Sequence, residues 1–431
     1  MSQGKRIVLA SRPHGEPTPA NFRLEDYTPP TPGAGEVLLR TIWLSLDPIC
    51  AAAWPTVRPM PRRCRSAGVM EGGTVSEVIA SNNPAFAKGD IVLSRAGWQT
   101  HVLSDGKGLA KIDSKIAPIS TAVGVLGMPG MTAYTGLLEI GKPQPGETVV
   151  VAGASGAVGS AVGQIAKIKG ARAIGIAGGK DKCAYVKNEL GFDECLDHRD
   201  PNLAAKLKEA CPKGIDVYFE NVGGAVFDAV FPLLNAFARI PVCGLIAHYN
   251  DTEAHAPKWA GAMMRNILTK RLTFRGFIVS DFAAMHGDFL RDMSQWVREG
   301  KVKYKEFVTE GLDSAPEASS ACSRAPISAS SLCGSGPIRP EQGPLSSHSA
   351  QQSIKNATLA SFWGPFGPHL LDGDPEQLIQ YGYISGVAMV FEAIVFGVIV
   401  LAVGYWATMF VMGRRDDVLH GKFVEEEPAA E

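Results

Sequence analysis

The first 125 residues alternate between short apolar runs and turn residues. EVLLRTIWLSLDP (36–48) alternates apolar and polar positions, whereas GGTVSEVIAS (72–81) and GDIVLSRAGWQTHVLS (89–104) contain short apolar stretches. Such runs, separated by Gly, Pro and Asn at close spacing, predict short β-strands that form a small barrel. We therefore assign residues 1–125 to a β-rich domain.

From residue 126 to 290 the pattern changes to strand and helix in turn. ETVVVAGA (147–154) precedes AVGSAVGQIAKIKG (157–170), and RAIGIAGG (172–179) precedes KDKCAYVKNELG (180–191). Apolar strands that alternate with helices of about 10–15 residues predict parallel βαβ units and a doubly wound, Rossmann-type sheet. The fold class is therefore α/β, and residues 291–318 are expected to return to the first domain.

The remaining residues have a different composition. Residues 319–353 are rich in Ser, Pro and Gly and carry almost no large apolar side chains. This composition predicts a disordered linker. The tail, 354–431, contains an apolar run that we expect to span a membrane over 384–412, although a buried core helix is the alternative.

Composition excludes several classes of function. The 431 residues are 45% hydrophobic and 20% charged, with a formal net charge of −1. A chain without a basic surplus is not expected to bind nucleic acid. The eight cysteines include no C-x-x-C pair, which favours neither a metal site nor a disulfide framework. We expect the first 318 residues to be cytoplasmic, with membrane association only through the tail.

Three glycines mark a candidate phosphate-binding turn. Gly153, Gly156 and Gly159 follow an apolar strand and open a predicted helix. Residues without Cβ let the backbone approach a pyrophosphate, and the helix N-terminus supplies N–H groups and a positive dipole. The alternative is a plain strand-to-helix turn, which the βαβ context makes the weaker interpretation.

The end of the next strand indicates which dinucleotide is bound. An NAD site carries Asp or Glu about 20 residues after the glycines, whereas this chain has Gly178 and Gly179, followed by Lys180 and Lys182. Cations and small residues suit the 2′-phosphate of NADPH. The alternative is that the two lysines only form a solvated helix start.

Several stretches together resemble one family. They are GMPGMTAYTGLLEIGKPQPGETVVVAGASGAVGSAVGQIAKIKG (127–170), AGGKDK, YFENVGG and CGLIAHYN, with LSLDP nearer the start. This pattern resembles the zinc-independent medium-chain dehydrogenase/reductases, in particular the prostaglandin, alkenal and NADPH-dependent curcumin reductases. The resemblance covers about 1–48 and 68–318. It implies a GroES-like barrel, a Rossmann domain, NADPH, a homodimer, and reduction of the C=C bond of small enones and enals.

The resemblance also implies the residues that hold the coenzyme. Those at the pyrophosphate would be Gly156, Ala157, Val158 and Gly159. Those at the 2′-phosphate would be Gly178, Lys182 and His198, where His198 replaces a tyrosine of the family. Those near the nicotinamide would be Thr132, Asn221, Cys243, Gly244, Tyr249, Phe277, Ile278 and Val279.

Tyr249 is the candidate catalytic residue. Hydride transfer to the β-carbon of an enone places charge on the carbonyl oxygen, which a hydrogen-bond donor stabilises. A hydroxyl of the nicotinamide ribose is the alternative donor, and Tyr249 would then only cap a strand. The alternative functions are a quinone reductase, a membrane-tethered enzyme and a nucleotide-binding protein without activity.

The family pattern is interrupted twice. It stops after LSLDP, resumes at GVMEGGTVSEVIAS (68–81), and stops again at residue 319. The intervening 49–67 crowds Pro and Arg without a strand or helix period. A local change of reading frame would leave such a pattern, and the lost segments would have supplied a pocket wall and the last strand of the barrel sheet.

Overall fold

Two β-sheets, one in each predicted domain, organise the protein. The structure, a computed structural model, describes residues 3–47, 68–252, 260–321 and 330–334. All of these belong to one folded unit of the chain, residues 1–354. The first sheet is antiparallel apart from one strand pair, whereas the second is parallel throughout.

The described strands are, in chain order, β1 (Gly4–Leu9), β2 (Phe22–Tyr27), β3 (Val37–Ser45), β4 (Thr74–Ser81), β5 (Ile91–Ser94), β6 (His101–Ser104), β7 (Ala110–Lys111), β8 (Thr148–Ala152), β9 (Arg172–Ala177), β10 (Glu194–Asp197), β11 (Ile215–Phe219), β12 (Leu234–Val242), β13 (Thr273–Gly276), β14 (Glu306–Glu310) and β15 (Ser330–Gly334). The described α-helices are α1 (Met128–Thr135), α2 (Gly159–Ile168), α3 (Lys180–Asn188), α4 (Leu203–Ala210), α5 (Gly224–Val230), α6 (Ala260–Lys270), α7 (His286–Arg298) and α8 (Ala315–Ala321). A wider helical turn, Gly136–Gly141, extends α1.

The parallel sheet has the strand order β10-β9-β8-β11-β12-β13. This is the 3-2-1-4-5-6 order of a Rossmann fold. Every residue of β8 is buried, as expected for a central strand that helices cover on both faces. The predicted α/β class is therefore confirmed, and the strands and helices of the parallel sheet alternate along the chain as predicted.

The barrel-like sheet has the order β14-β15-β3-β4-β5-β7, with β6 also paired to β3, and β1 and β2 form a separate hairpin. Along β3, Val37 and Leu39 pack in one apolar cluster and Trp43 in a second, while Leu44 packs with Ala315 and Ala318 of α8. The return of the chain to this sheet through β14 agrees with the expectation for 291–318.

The expected disorder of 319–353 is wrong at its described residues. Helix α8 continues to Ala321, and β15 inserts between β14 and β3. Leu332 and Cys333 are both fully buried, so two apolar residues within a Ser-rich run suffice to complete the sheet. Strand β15 therefore covers the edge of β3.

The other atypical segments lie outside the described residues. These are 49–67, the rest of 319–353, and the tail 354–431 with its predicted span at 384–412. Within the described ranges, no helix has the length and apolar character that crossing a bilayer requires.

Helix α2 packs very closely on the parallel sheet because it carries glycines on its buried face. A Cβ added at Gly163 would overlap the ring of Phe192, which follows α3. At Gly175 in β9, an added Cβ would lie 2.9 Å from Val186 of α3 and 3.1 Å from the sulfur of Cys195. The side chains that surround these glycines are fully packed, so the helices cannot move outward without opening the core.

We predict that Gly163→Ala destabilises the protein by about 1–3 kcal/mol, because the new methyl group must displace the Phe192 ring. The matched control is Gly287→Ala in α7, where an added Cβ meets nothing within 4 Å. That change should be neutral or stabilise the protein by up to about 1 kcal/mol, since alanine favours helix. Urea unfolding measures both, and equal free energies of unfolding for the two variants would contradict the packing argument.

Candidate active site

The carboxyl ends of the parallel strands form one edge at which most predicted site residues meet. Strand β8 pairs with β9 on one side and β11 on the other, so the strand order reverses between β8 and β11. Such a reversal opens a crevice that binds ligands in α/β proteins. The Asn221 side-chain amide donates to the carbonyl of Ala152 at 2.7 Å. This bond joins the ends of β8 and β11 at the crevice.

The glycine turn after β8 has the backbone that the sequence predicted. Gly153 has φ of +63°, a conformation that favours glycine, and its carbonyl accepts from the N–H of Gly156 at 2.9 Å. A Cβ added at Gly159 would overlap that same carbonyl. The turn continues through Ala157 and Val158 into α2, and the N–H of Ser160 donates to the carbonyl of Gly156 at 2.9 Å.

A second turn, after β9, is surrounded by basic side chains. A Cβ added at Gly178 would lie 2.8 Å from the His198 ring and 3.6 Å from the Arg199 guanidinium. The Asp197 carboxylate accepts from the backbone N–H groups of Gly179 at 2.9 Å and Arg199 at 3.0 Å. This carboxylate therefore shapes the turn.

Burial and like charge both act on the basic side chains of this turn. Lys182 is only 7% exposed, and its pKa is lowered by burial and by the nearby charge of Arg199. Burial and Arg199 also lower the pKa of His198. Cations that lower each other's pKa are relieved by an anion between them. We call Lys182, His198 and Arg199 the basic cluster.

Sequence reasoning missed Arg199. The family resemblance indicated His198 but not its neighbour Arg199, and both follow β10, which pairs with β9 in register. Residues that follow adjacent parallel strands meet at one edge of the sheet, and this rule could have indicated Arg199.

The loop after β12 is held against the end of β11 by backbone hydrogen bonds. The carbonyl of Glu220 accepts from Cys243 at 2.9 Å and Gly244 at 3.1 Å. The carbonyl of Asn221 accepts from Ile246 at 3.2 Å. The predicted site residues Asn221, Cys243 and Gly244 are thus brought together.

Tyr249 turns back onto this loop. An added Cβ at Gly244 would lie 2.8 Å from the Tyr249 hydroxyl oxygen. That oxygen accepts from the backbone N–H of Leu245, which lowers its pKa, while burial has the larger effect and raises the pKa of Tyr249.

Glu220 holds the loop after β11 through its carboxylate and the loop after β12 through its carbonyl. Its buried carboxylate accepts from the N–H groups of Val222 at 2.7 Å and Gly223 at 2.8 Å. Burial raises the pKa of Glu220. Burial and the neighbouring Glu220 charge raise the pKa of Cys243 to about 12, so this thiol stays protonated at neutral pH and is a poor nucleophile.

The remaining predicted residues flank the crevice. Phe277 packs edge-on against Phe219 with ring centroids 6.4 Å apart, and Ile278 is 40% exposed. The Thr132 hydroxyl donates to the carbonyl of Met128 at 2.8 Å, so in this structure it is bound within its own helix. Helix α1 packs against the turn that begins at Val279.

Comparisons with known proteins agree with this architecture. Residues 5–112 match the family model described as the N-terminal domain of oxidoreductase, and residues 157–297 match the one described as zinc-binding dehydrogenase. The NADPH-dependent curcumin reductase of Escherichia coli (strain K12) is 51% identical over 317 residues, covering 73% of this chain and 92% of the relative. The chain belongs to the medium-chain dehydrogenase/reductases.

Two further members of the medium-chain dehydrogenase/reductases show how far the similarity extends. Prostaglandin reductase 1 of Oryctolagus cuniculus is 39% identical over 323 residues, covering 74% of this chain and 89% of the relative. The crystal structure of CurA from Vibrio vulnificus in complex with NADPH is 46% identical. It covers 78% of this chain and 100% of its own, with a TM-score of 0.74.

Among residues 3–47, 68–252, 260–321 and 330–334, no group of three or more His, Cys, Asp or Glu side chains could hold a metal ion.

We predict that Lys182→Ala and Arg199→Ala each raise the Kd for NADPH by about 10- to 100-fold, the cost of one charge-assisted hydrogen bond. The Kd for NADH should change by less than about threefold, because it lacks the 2′-phosphate. Lys180→Ala is the matched control, since Lys180 starts the same helix but is exposed. Fluorescence titration measures all three, and equal losses for both coenzymes would contradict the assignment of the cluster.

Proposed function

We propose that the protein is an NADPH-dependent reductase that saturates the C=C bond of enones and enals. The observation that carries the proposal is the basic cluster beside Gly178 and Gly179, where an NAD enzyme would carry an acid. It is supported by relatives named NADPH-dependent curcumin reductase and prostaglandin reductase 1.

The side chains on the crevice fit NADPH. The turn from Gly156 to Gly159, with Ala157 and Val158, would hold the pyrophosphate, because its glycines leave the backbone accessible. The basic cluster would hold the 2′-phosphate. The residues proposed for the nicotinamide end are Thr132, Asn221, Cys243, Gly244, Phe277, Ile278 and Val279.

Tyr249 would act on the substrate. Bound NADPH supplies the hydride that is added to the β-carbon. As negative charge develops on the carbonyl oxygen, the Tyr249 hydroxyl would donate a hydrogen bond to that oxygen. The Leu245 amide, which donates to the Tyr249 oxygen, makes the hydroxyl a stronger donor because it stabilises the charge left on the phenol oxygen.

The alternative functions have less support. Solved quinone oxidoreductases resemble this chain at 18% and 21% identity, which shows a shared fold alone. A membrane-tethered enzyme depends on the apolar segment at 384–412, and a homodimer depends on the family resemblance. Sedimentation of the full chain with membranes and its mass in solution test these two properties.

The reaction is tested by following NADPH oxidation with a simple enone, the matching saturated ketone as a control, and a quinone as a competing substrate. We expect turnover of the enone at least about tenfold faster with NADPH than with NADH, since only NADPH engages the basic cluster. Mass spectrometry of the product should show the saturated ketone. Oxidation of NADPH by the quinone alone would favour the alternative function.

We predict that Tyr249→Phe lowers kcat by about 100-fold, the cost of losing one donor to the developing oxyanion. The Kd for NADPH and the melting temperature should stay close to their original values, because the ring and its packing are kept. Stopped-flow measurement of single-turnover NADPH oxidation gives the rate of the chemical step. An unchanged rate would assign the donor role to the ribose hydroxyl of the coenzyme.

A further inference from the structure

A histidine and a permanent cation meet at the turn after β9. His198 follows β10, and its backbone N–H donates to the carbonyl of Ala177 at 2.9 Å. This bond holds the residue at the turn, where a Cβ added at Gly178 would lie 2.8 Å from the His198 Nε2 atom and 3.6 Å from the Arg199 guanidinium. The imidazole and the guanidinium therefore face the same point of the turn.

The groups around this imidazole carry more positive than negative charge. Arg199 follows it in the chain, and Lys182, from the first turn of α3, is a second cation that acts on it. The opposing charge is the Asp197 carboxylate, which accepts from the N–H groups of Gly179 at 2.9 Å and Arg199 at 3.0 Å. Partial burial and the Arg199 charge lower the pKa of His198. The uncharged ring is therefore favoured in the free protein.

A phosphate group at the turn would reverse this balance. His198 and Arg199 are both exposed, so an anion from solution can reach them. A doubly charged phosphate beside an imidazole favours the protonated ring, which then donates a charge-assisted hydrogen bond to the phosphate. Because the uncharged ring is favoured before binding, the additional proton comes from the solvent.

We propose that NADPH binding takes up a proton at His198, so that the preference of the protein for NADPH over NADH increases as pH falls. The proposal rests on the proposed function, because it requires the 2′-phosphate of NADPH to occupy the basic cluster. The proton goes to the ring nitrogen that carries none in the neutral form, and no bond of the coenzyme changes. NADH lacks the 2′-phosphate, so its binding leaves His198 as it is.

Proton uptake fixes the direction and the range of the pH effect. A complex that carries one more proton than its free components gains affinity as pH falls, by up to about tenfold per pH unit. The gain ends where the ring is protonated in the free protein as well. Below about pH 6 the phosphate itself gains a proton and loses charge, which weakens binding. The effect of His198 is therefore expected between about pH 6 and pH 8, where histidine changes its charge.

The pH dependence is tested by fluorescence titration of the full chain with NADPH and NADH. From pH 6 to pH 8 we expect the Kd for NADPH to rise about three- to tenfold, and the Kd for NADH to stay within about twofold. His198→Gln removes the titrating group and should reduce the change for NADPH to about twofold or less. His286→Gln is the matched control and should keep the full change, because His286 is also an exposed histidine whose pKa partial burial lowers, but it begins α7.

Proton uptake itself is measured by isothermal titration calorimetry at about pH 7 in buffers that differ in ionisation enthalpy. The original chain and His286→Gln should take up part of one proton for each NADPH bound. Binding of NADH to either protein, and of NADPH to His198→Gln, should take up none. An NMR titration of the His198 ring, assigned by comparison with His198→Gln, should give a higher pKa with NADPH bound than without it.

The outcomes separate this proposal from the proposed function. Equal proton uptake by His198→Gln and the original chain would overturn the role of His198. A preference for NADPH that stays constant with pH would also overturn it, while NADPH-dependent reduction of an enone would keep the proposed function. Equal affinity for NADPH and NADH at every pH would overturn both.

Discussion

Two consecutive residues, Glu220 and Asn221, hold the edge of the parallel sheet together. The Glu220 carboxylate accepts from Val222 and Gly223, and its carbonyl accepts from the loop after β12. The Asn221 amide reaches the end of β8. Three strand ends are thus tied by short polar contacts that burial protects from water. Burying the Glu220 carboxyl group is unfavourable and raises its pKa. Removing this carboxylate would leave the amides of Val222 and Gly223 without their acceptor, which is also unfavourable.

The basic cluster, in contrast, brings side chains of like charge together. Burial and the Arg199 charge lower the pKa of Lys182 and of His198 in the free protein, so the charged forms of both are disfavoured there. Sites that bind charged ligands commonly give up some stability in this way. Because the nearby Asp197 carboxylate is occupied by two backbone amides, it neutralises the cluster only in part.

Features that depend on local sequence could be predicted, whereas those that depend on strand neighbours could not. The turn at Gly153, Gly156 and Gly159 could be predicted because strand, glycines and helix follow one another along the chain. Arg199 joins the cluster only through the pairing of β10 with β9, which no local pattern reveals. Strand β15 was missed for a related reason, because Leu332 and Cys333 are too few to mark a strand until β3 and β14 bury them.

Close packing of α3 on the sheet fixes the first turn of that helix. The glycine at position 175 leaves room for Val186 of α3, and this approach sets the position of Lys182 in the first turn. A packed interior transmits a small displacement because it has no spare volume to absorb it. Any change that moves the first turn of α3 therefore moves Lys182 relative to Arg199, whose charge acts on it.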